Sequence, residues 1–251
     1  MKKYIKNSFN IGAKKYDNFN YVQNLAGDSL IEILKYKTNF LSIKEKKINA
    51  LELGSGTGEF TKKILNNLNI GKLELVDISE KMILVSKSKI KRKTSFNNID
   101  FDKYDYSNLD NFELIFSNMA IHWSSNYIKL ITKIIMNLKK GGIFLFSFPN
   151  NKSFSVLKKM YQKEEKEFTL NSLPDFLFYK GFFDKSYLDF RVKEINFKIS
   201  YKSPIAFLKN LKNIGANAST QKKKENIFFL KKFNKSININ FNISCCLIIK
   251  K

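Results

Sequence analysis

The chain has 251 residues, 43% of them hydrophobic, enough to bury a sizeable core within one domain. No apolar run approaches the roughly 18 residues of a membrane span, and the lysine-bearing N-terminus lacks the apolar stretch of a secretory signal. The net charge of +23 points toward acidic partners, but only Arg92 and Arg191 are arginines and the lysines are spread along the chain, so AT-rich codon usage is the plainer explanation beside a functional one, and nucleic-acid binding is not expected.

Taken in chain order, residues 1–46 read as a helical lead-in that contains Ala13-Lys14-Lys15-Tyr16-Asp17. Ile48 to Leu53 is an apolar first strand, followed by Gly54-Ser55-Gly56-Thr57-Gly58 and an amphipathic helix to about Asn69. Lys72 to Asp77 is the second strand, and a weak third lies near Asn98 to Phe101. Glu113 to Asn118 is the fourth and Gly142 to Phe148 the fifth, with a helix over Tyr127 to Leu138 between them. Lysines and a double glycine close that helix. Phe190 to Ser200 and Ile237 to Ile249 are two later strands. The two cysteines, Cys245 and Cys246, are neighbours on the last strand and point to opposite faces, which suits neither a disulfide nor a shared metal site. A cytoplasmic setting fits them, and no metal is expected.

Alternating strands and helices call for a parallel sheet covered on both faces. The expected organisation is a single domain. It comprises the lead-in (1–46), a cofactor-binding core (47–150), a helical segment with the sixth strand (151–200), a lid-like insertion (201–236) and the last strand (237–251). Both the lead-in and the insertion are expected to cover the open C-terminal edge of the sheet, where ligands of such sheets bind.

The glycine turn is a small-molecule cradle, because free N–H groups of the following helix point at whatever fills it. It is not a dinucleotide loop: the third glycine of G-x-G-x-x-G would stand at position 59, which holds Glu59, a carboxylate repelled by a pyrophosphate. It is not a Walker loop either, since no Gly-Lys-Ser/Thr follows. A ligand carrying positive charge and no phosphate suits it, and S-adenosylmethionine is such a ligand. Glu52 then partners its amino group or braces the loop. Asp77, at the tip of the second strand, stands where a βαβ unit offers a carboxylate to ribose hydroxyls. Capping the helix that opens at Ser79 and Glu80 is its plainer use.

Glu52, Gly54, Gly56, Gly58 and Asp77 together resemble the motifs of the class I S-adenosylmethionine-dependent methyltransferases. That resemblance implies a Rossmann-like α/β fold with a seven-stranded, mostly parallel sheet flanked by helices. It puts Asp105-Tyr106 where such proteins hold adenine, although Tyr104 replaces the usual preceding glycine. A narrower likeness runs through Phe9, Ala13, Tyr16-Asp17, Val22-Gln23, Ser117-Asn118-Met119-Ala120-Ile121-His122-Trp123 and Leu211-Lys212-Asn213-Ile214-Gly215-Ala216. These segments resemble the biotin-pathway malonyl-acyl-carrier-protein O-methyltransferases, the BioC family. His122 in place of glutamine, Lys140 in place of proline and Glu113 in place of aspartate depart from it.

The resemblance implies methylation of the free carboxylate of malonyl-acyl-carrier protein, with Tyr16, His122 and Trp123 at the reacting pocket and Asn118 beside the cofactor. A carboxylate is ionised at neutral pH, so the absence of a base–nucleophile pair fits this chemistry. A cation is expected to meet the malonyl carboxylate. Lys209, Lys212 and Lys222 to Lys224 are expected to steer an acidic carrier protein. Amine methylation of nucleic acid is disfavoured because no proline follows Asn118, and cytosine C5 methylation because the cysteines lie in the last strand.

Overall fold

A computed structural model of the protein describes residues 2–37, 40–168, 170–175, 186–217 and 227–251. Seven strands form one sheet in the order β3-β2-β1-β4-β5-β7-β6, with β1 (Ile48–Leu53), β2 (Ile70–Val76), β3 (Ser95–Asn97), β4 (Leu114–Ser117) and β5 (Ile143–Pro149) parallel. β6 (Leu188–Tyr201) and β7 (Ile237–Lys250) complete it, β7 running antiparallel to both neighbours. β4 and β5 are buried along their whole length, as parallel strands covered on both faces must be, and they read as continuous apolar runs. β6 alternates between part-buried and exposed side chains, the mark of an edge strand with one face in water.

The helices are α1 (Lys2–Gly12), α2 (Tyr21–Lys37), α3 (Phe40–Glu45), α4 (Glu59–Asn67), α5 (Glu80–Lys89), α6 (Tyr127–Asn137), α7 (Ser155–Lys163) and α8 (Pro204–Asn213). Strand alternation sorts the core into two layers. Ala50 on β1 joins Leu30, Leu34 and Ile64 of α2 and α4, whereas Leu51 and Leu53 join Leu130 and Ile134 of α6. Burying one such leucine is worth about 1.5–3 kcal/mol, so the amphipathic stripes of α4 and α6 fix which face each helix covers. No helix among the described residues is long and apolar enough to cross a membrane.

Two local expectations move. The third strand ends at Asn97 rather than starting at Asn98, because Asp100 caps a 3₁₀ turn over Phe101–Lys103 by accepting the Asp102 N–H at 3.1 Å. The lead-in is not continuous helix through Tyr16, which lies on a 3₁₀ turn, Tyr16–Asn18, between α1 and α2. Within 201–236, Ser203 caps α8 and a 3₁₀ stretch covers Phe228–Lys232, while Lys222 to Lys224 lie outside the described residues.

In this strand order β1 and β4 leave in opposite directions across the sheet, which opens a crevice beyond their C-terminal ends. α1, the Tyr16 turn and the end of α8 lie over that crevice.

Candidate active site

The loop after β1 turns through left-handed backbone at Gly54 (φ 72°), Gly56 (φ 53°) and Gly58 (φ 82°). The three are used differently. A Cβ on Gly56 would meet nothing within 4 Å, so its bare face is open to the crevice, while its N–H donates to Asp77 Oδ2 at 2.8 Å. A Cβ on Gly54 would overlap Ala120, the residue after Met119 at the end of β4. A Cβ on Gly58 would meet Ser86 Oγ at 2.7 Å, so this glycine lets α4 approach α5 and does not line the crevice.

Three recesses share Tyr16 as a wall, and two of them are bordered by the loop. A polar one is walled by Glu52, Asn20, Gln23, Asn24 and Asn118. Glu52 is 1% exposed and accepts a hydrogen bond from the Thr61 hydroxyl. Burial raises its pKa to about 8, with the Thr61 bond lowering it and the Asp77 charge adding to the rise. Such a carboxyl ionises readily only when a cation arrives beside it.

The second recess holds Asp77 and is walled by Phe101, Ile78, Met82, Ala120 and Trp123. Asp77 Oδ1 accepts the Ser79 N–H at 2.8 Å while Oδ2 takes that of Gly56. Burial raises this carboxyl to about 6 against the opposing pull of those two bonds. The cap of α5 is Ser79, which accepts the Met82 N–H. Asp77 therefore ties the second strand to the glycine loop, and each oxygen keeps a further lone pair for a hydroxyl in the recess. Asn118 borders both recesses, donating to the Gln23 carbonyl at 2.8 Å and accepting from Ser147 Oγ at 2.7 Å.

The third recess is a largely apolar cleft of about 880 Å³, counting its open mouth, with Phe9, Trp123, Phe154, Leu211, Ile214 and Phe241 among its walls. His122 lines it too, with Nδ1 buried and without a partner, and burial lowers its pKa to about 3. The ring is neutral at physiological pH. Trp123 packs edge-on against Phe9, centroids 5.4 Å apart. Tyr16 borders all three recesses, and burial together with the charges of Asp77, Asp17 and Glu52 pushes its hydroxyl pKa up. Among the described residues no lysine or arginine lines the apolar cleft, whereas a cation was expected there.

The crevice thus brings together Tyr16, Glu52, Gly54, Gly56, Asp77, Asn118, His122 and Trp123, and leaves out Gly58 and Asp105. Asp105 is on the surface, its oxygens accepting the Ser107 N–H at 3.0 Å and the Ser107 hydroxyl at 2.9 Å, bonds that lower its pKa. It borders none of the three recesses. The physical reason is alternation: Tyr106 is driven inward, its hydroxyl on the Phe101 carbonyl at 2.8 Å, so its neighbour points out. Phe101 occupies the wall expected of Asp105. Its signal is an apolar residue directly after an acid, Asp100-Phe101, three residues beyond the end of the third strand. Among the described residues no group of three or more His, Cys, Asp or Glu side chains is placed to hold a metal.

The family model described as "Methyltransferase domain" matches residues 44–195. The chain is 33% identical over 238 residues to malonyl-[acyl-carrier protein] O-methyltransferase 2 of Ilyobacter polytropus, covering 93% of this chain and 87% of that one. It is 25% identical to malonyl-[acyl-carrier protein] O-methyltransferase of Bacillus cereus, covering 85% and 80%. In three dimensions it superposes on the YcgJ protein of Bacillus subtilis with a TM-score of 0.59 at 15% identity, over 89% of this chain and 98% of that one. The plantazolicin methyltransferase BpumL, solved with SAH and a triazolic desmethylPZN analog, superposes over the full length of both chains at 0.56 and 13% identity. The fold, the glycine loop with its two buried carboxylates and the sequence relatives agree: this chain belongs to the class I S-adenosylmethionine-dependent methyltransferases.

Proposed function

We propose that the chain transfers the methyl group of S-adenosylmethionine to the free carboxylate of malonyl-acyl-carrier protein, in the cytoplasm. The product is the methyl ester that primes pimeloyl and hence biotin synthesis. The relatives from Ilyobacter polytropus and Bacillus cereus carry that activity in their names. The observation that carries the reading is the junction at Tyr16. There two recesses, one polar and one mostly apolar, each with a buried carboxyl group, meet an apolar cleft whose described walls offer no lysine or arginine and only a weakly basic imidazole, that of His122.

The recesses fit the cofactor. Glu52, a buried carboxyl held near neutral pKa, would be relieved by an ammonium group, and Asp77 would accept from ribose hydroxyls while Gly56 leaves room for the ligand's approach. When bound, S-adenosylmethionine supplies an electrophilic methyl on a sulfonium. Tyr16 would wall the junction where that methyl meets the acceptor, Asn118 would border the cofactor, and His122 and Trp123 would wall the acceptor cleft and exclude water.

Methylation of a carboxylate would consume its negative charge together with the positive charge that the cofactor brings, so the reacting centre would end neutral. A strong cation against the carboxylate would stabilise the reactant more than the transition state. The neutral described walls, with a neutral His122 among them, would leave the nucleophile weakly solvated, which favours transfer. On the rim, α8 turns Leu211 and Ile214 into the cleft and Lys209 and Lys212 to solvent, a basic edge for an acidic carrier. The test is purified protein with labelled S-adenosylmethionine and a panel of malonyl thioesters, malonyl-carrier protein and RNA, read by mass. Methyl ester on the malonyl group is expected. Label on RNA alone would overturn the reading.

A further inference from the structure

We propose that Asp17 is a positioning residue whose carboxylate clamps the turn bearing Tyr16 onto the cofactor loop, and so sets where Tyr16 stands at the junction of the three recesses. The inference rests on the methyl-transfer reading but not on the identity of the acceptor.

The turn has little to hold it by itself. Its internal backbone bonds are local: Lys15 N–H to the Gly12 carbonyl at 2.9 Å, Asn18 to Lys15 at 3.1 Å and Phe19 to Tyr16 at 3.0 Å. A 3₁₀ turn of three residues is a weak structure without tertiary support. Among the described residues the Tyr16 hydroxyl makes no hydrogen bond, so Tyr16 does not anchor itself.

Asp17 supplies the anchor. Its Oδ1 accepts the Thr57 hydroxyl at 2.7 Å, and Thr57, 1% exposed, sits between Gly56 and Gly58 in the cofactor loop. Its Oδ2 pairs with Lys89 Nζ at 2.5 Å, and the same ammonium pairs with Glu59 Oε1 at 2.5 Å. Lys89 ends α5 and Glu59 begins α4, so one lysine and one aspartate join the turn, the loop and the helices on either side of it. The two links differ in weight. The Lys89 pair is partly solvated and contributes little alone. The Thr57 bond is the decisive one, because removing Asp17 leaves a buried hydroxyl without its acceptor.

A clamp of this kind acts on alignment rather than affinity. Misplacing a wall residue by about 1 Å costs on the order of a hundredfold in rate, whereas the cofactor's own contacts at Glu52 and Asp77 are untouched. Asp17→Asn, Thr57→Val and Thr57→Ser would be compared with wild type. Calorimetry would use S-adenosylhomocysteine, and turnover would be measured on malonyl-carrier protein or on whichever acceptor wild type methylates.

About a tenfold fall in kcat is expected for Asp17→Asn and Thr57→Val, with affinity for S-adenosylhomocysteine within about twofold and full rescue in Thr57→Ser, the effect of one lost alignment contact. In a Tyr16→Ala background the Asp17→Asn change should cost less than about twofold, because its effect runs through Tyr16. A readout free of any acceptor is hydrogen exchange with S-adenosylhomocysteine bound: amides of residues 15–19 should exchange faster in Asp17→Asn and Thr57→Val, and as in wild type in Thr57→Ser. Equal costs in the wild-type and Tyr16→Ala backgrounds, or a loss of affinity with kcat unchanged, would overturn the proposal. So would unaltered exchange. A wild type that methylates no malonyl substrate would instead count against the acceptor assignment and leave the exchange test standing.

Discussion

The two sides of the crevice are built in opposite ways. The side proposed for the cofactor comes from one βαβ unit: Glu52, the glycines and Asp77 lie close in the chain, and the loop and Asp77 are joined by the Gly56–Asp77 bond. The acceptor side is gathered from distant segments, Phe9 and Tyr16 from the N-terminal region, His122 and Trp123 after β4, Leu211 and Ile214 from α8 and its end. One side carries the two buried carboxyl groups and is fixed by local geometry. The other is apolar and depends on long-range packing, which makes it the side free to change between acceptors.

That packing has a definable joint. Gly12 at the end of α1 and Gly215 after α8 meet backbone to backbone: a Cβ on Gly12 would lie 2.7 Å from Gly215 N, and one on Gly215 2.7 Å from the Ser8 carbonyl oxygen. Gly215 also holds a φ of 76°, which a β-branched residue resists. Gly215→Val should therefore produce the largest effect, a loss of about 2–3 kcal/mol in stability from overpacking and strain. Turnover on the acceptor should fall at least tenfold further than cofactor affinity, an order of magnitude set by misalignment. Denaturant melts and paired calorimetry and kinetics measure both. Equal losses on the two sides of the crevice would erase the distinction drawn between them.

Next in size is Asp77→Ala, which should weaken S-adenosylhomocysteine binding by about 1–3 kcal/mol, the scale for leaving partner hydroxyls and N–H groups unpaired. Unchanged affinity in calorimetry would show that the ribose lies elsewhere.

The same asymmetry decides what was legible in the sequence. The parallel sheet and its order of elements follow from alternating apolar runs and helical stripes, and Glu52 and Asp77 stand out because a βαβ unit places strand tips at fixed spacing. Asp105 departs from the place the sequence motif gives it because the third strand stops at Asn97 and the inward turn of Tyr106 sends Asp105 to solvent. The absence of lysine and arginine among the described walls of the apolar cleft is invisible in a chain with 45 of them, since no local pattern says which face a cavity. The Thr57–Asp17 bond, across 40 positions, has no spacing signature either.

A third effect is pH-dependent. The Glu52 carboxyl is raised from 4.5 to about 8 and Asp77 from 3.8 to about 6, so the folded apoprotein holds protons that the unfolded chain releases. The sign follows from proton linkage: apoprotein stability falls as pH rises from about 4.5 toward 8, the larger share through Glu52. The ammonium group of a bound ligand beside Glu52 would reverse this by favouring the charged form. Between pH 6 and 7.5, affinity for S-adenosylhomocysteine should rise by up to about tenfold per pH unit, with release of close to one proton. Calorimetry in buffers of different ionisation enthalpy measures the proton, and Glu52→Gln should abolish its release. A pH-independent affinity would place the amino group away from Glu52.

The smallest effect concerns the rim. Screening acts over about 8–10 Å at physiological salt, so the lysines of α8 matter for the encounter with a charged protein far more than for a small thioester. Lys209→Glu with Lys212→Glu should raise KM for malonyl-carrier protein about three- to tenfold at low ionic strength, leave kcat unchanged and spare a short malonyl thioester, as expected of rim charges that alter association rates. The difference should fade as salt is added. Both substrates responding alike would mean that these lysines are solvated surface and nothing more. The acceptor side would then owe its selectivity to the apolar cleft alone, where a neutral His122 and uncharged described walls would set the terms for the proposed carboxylate.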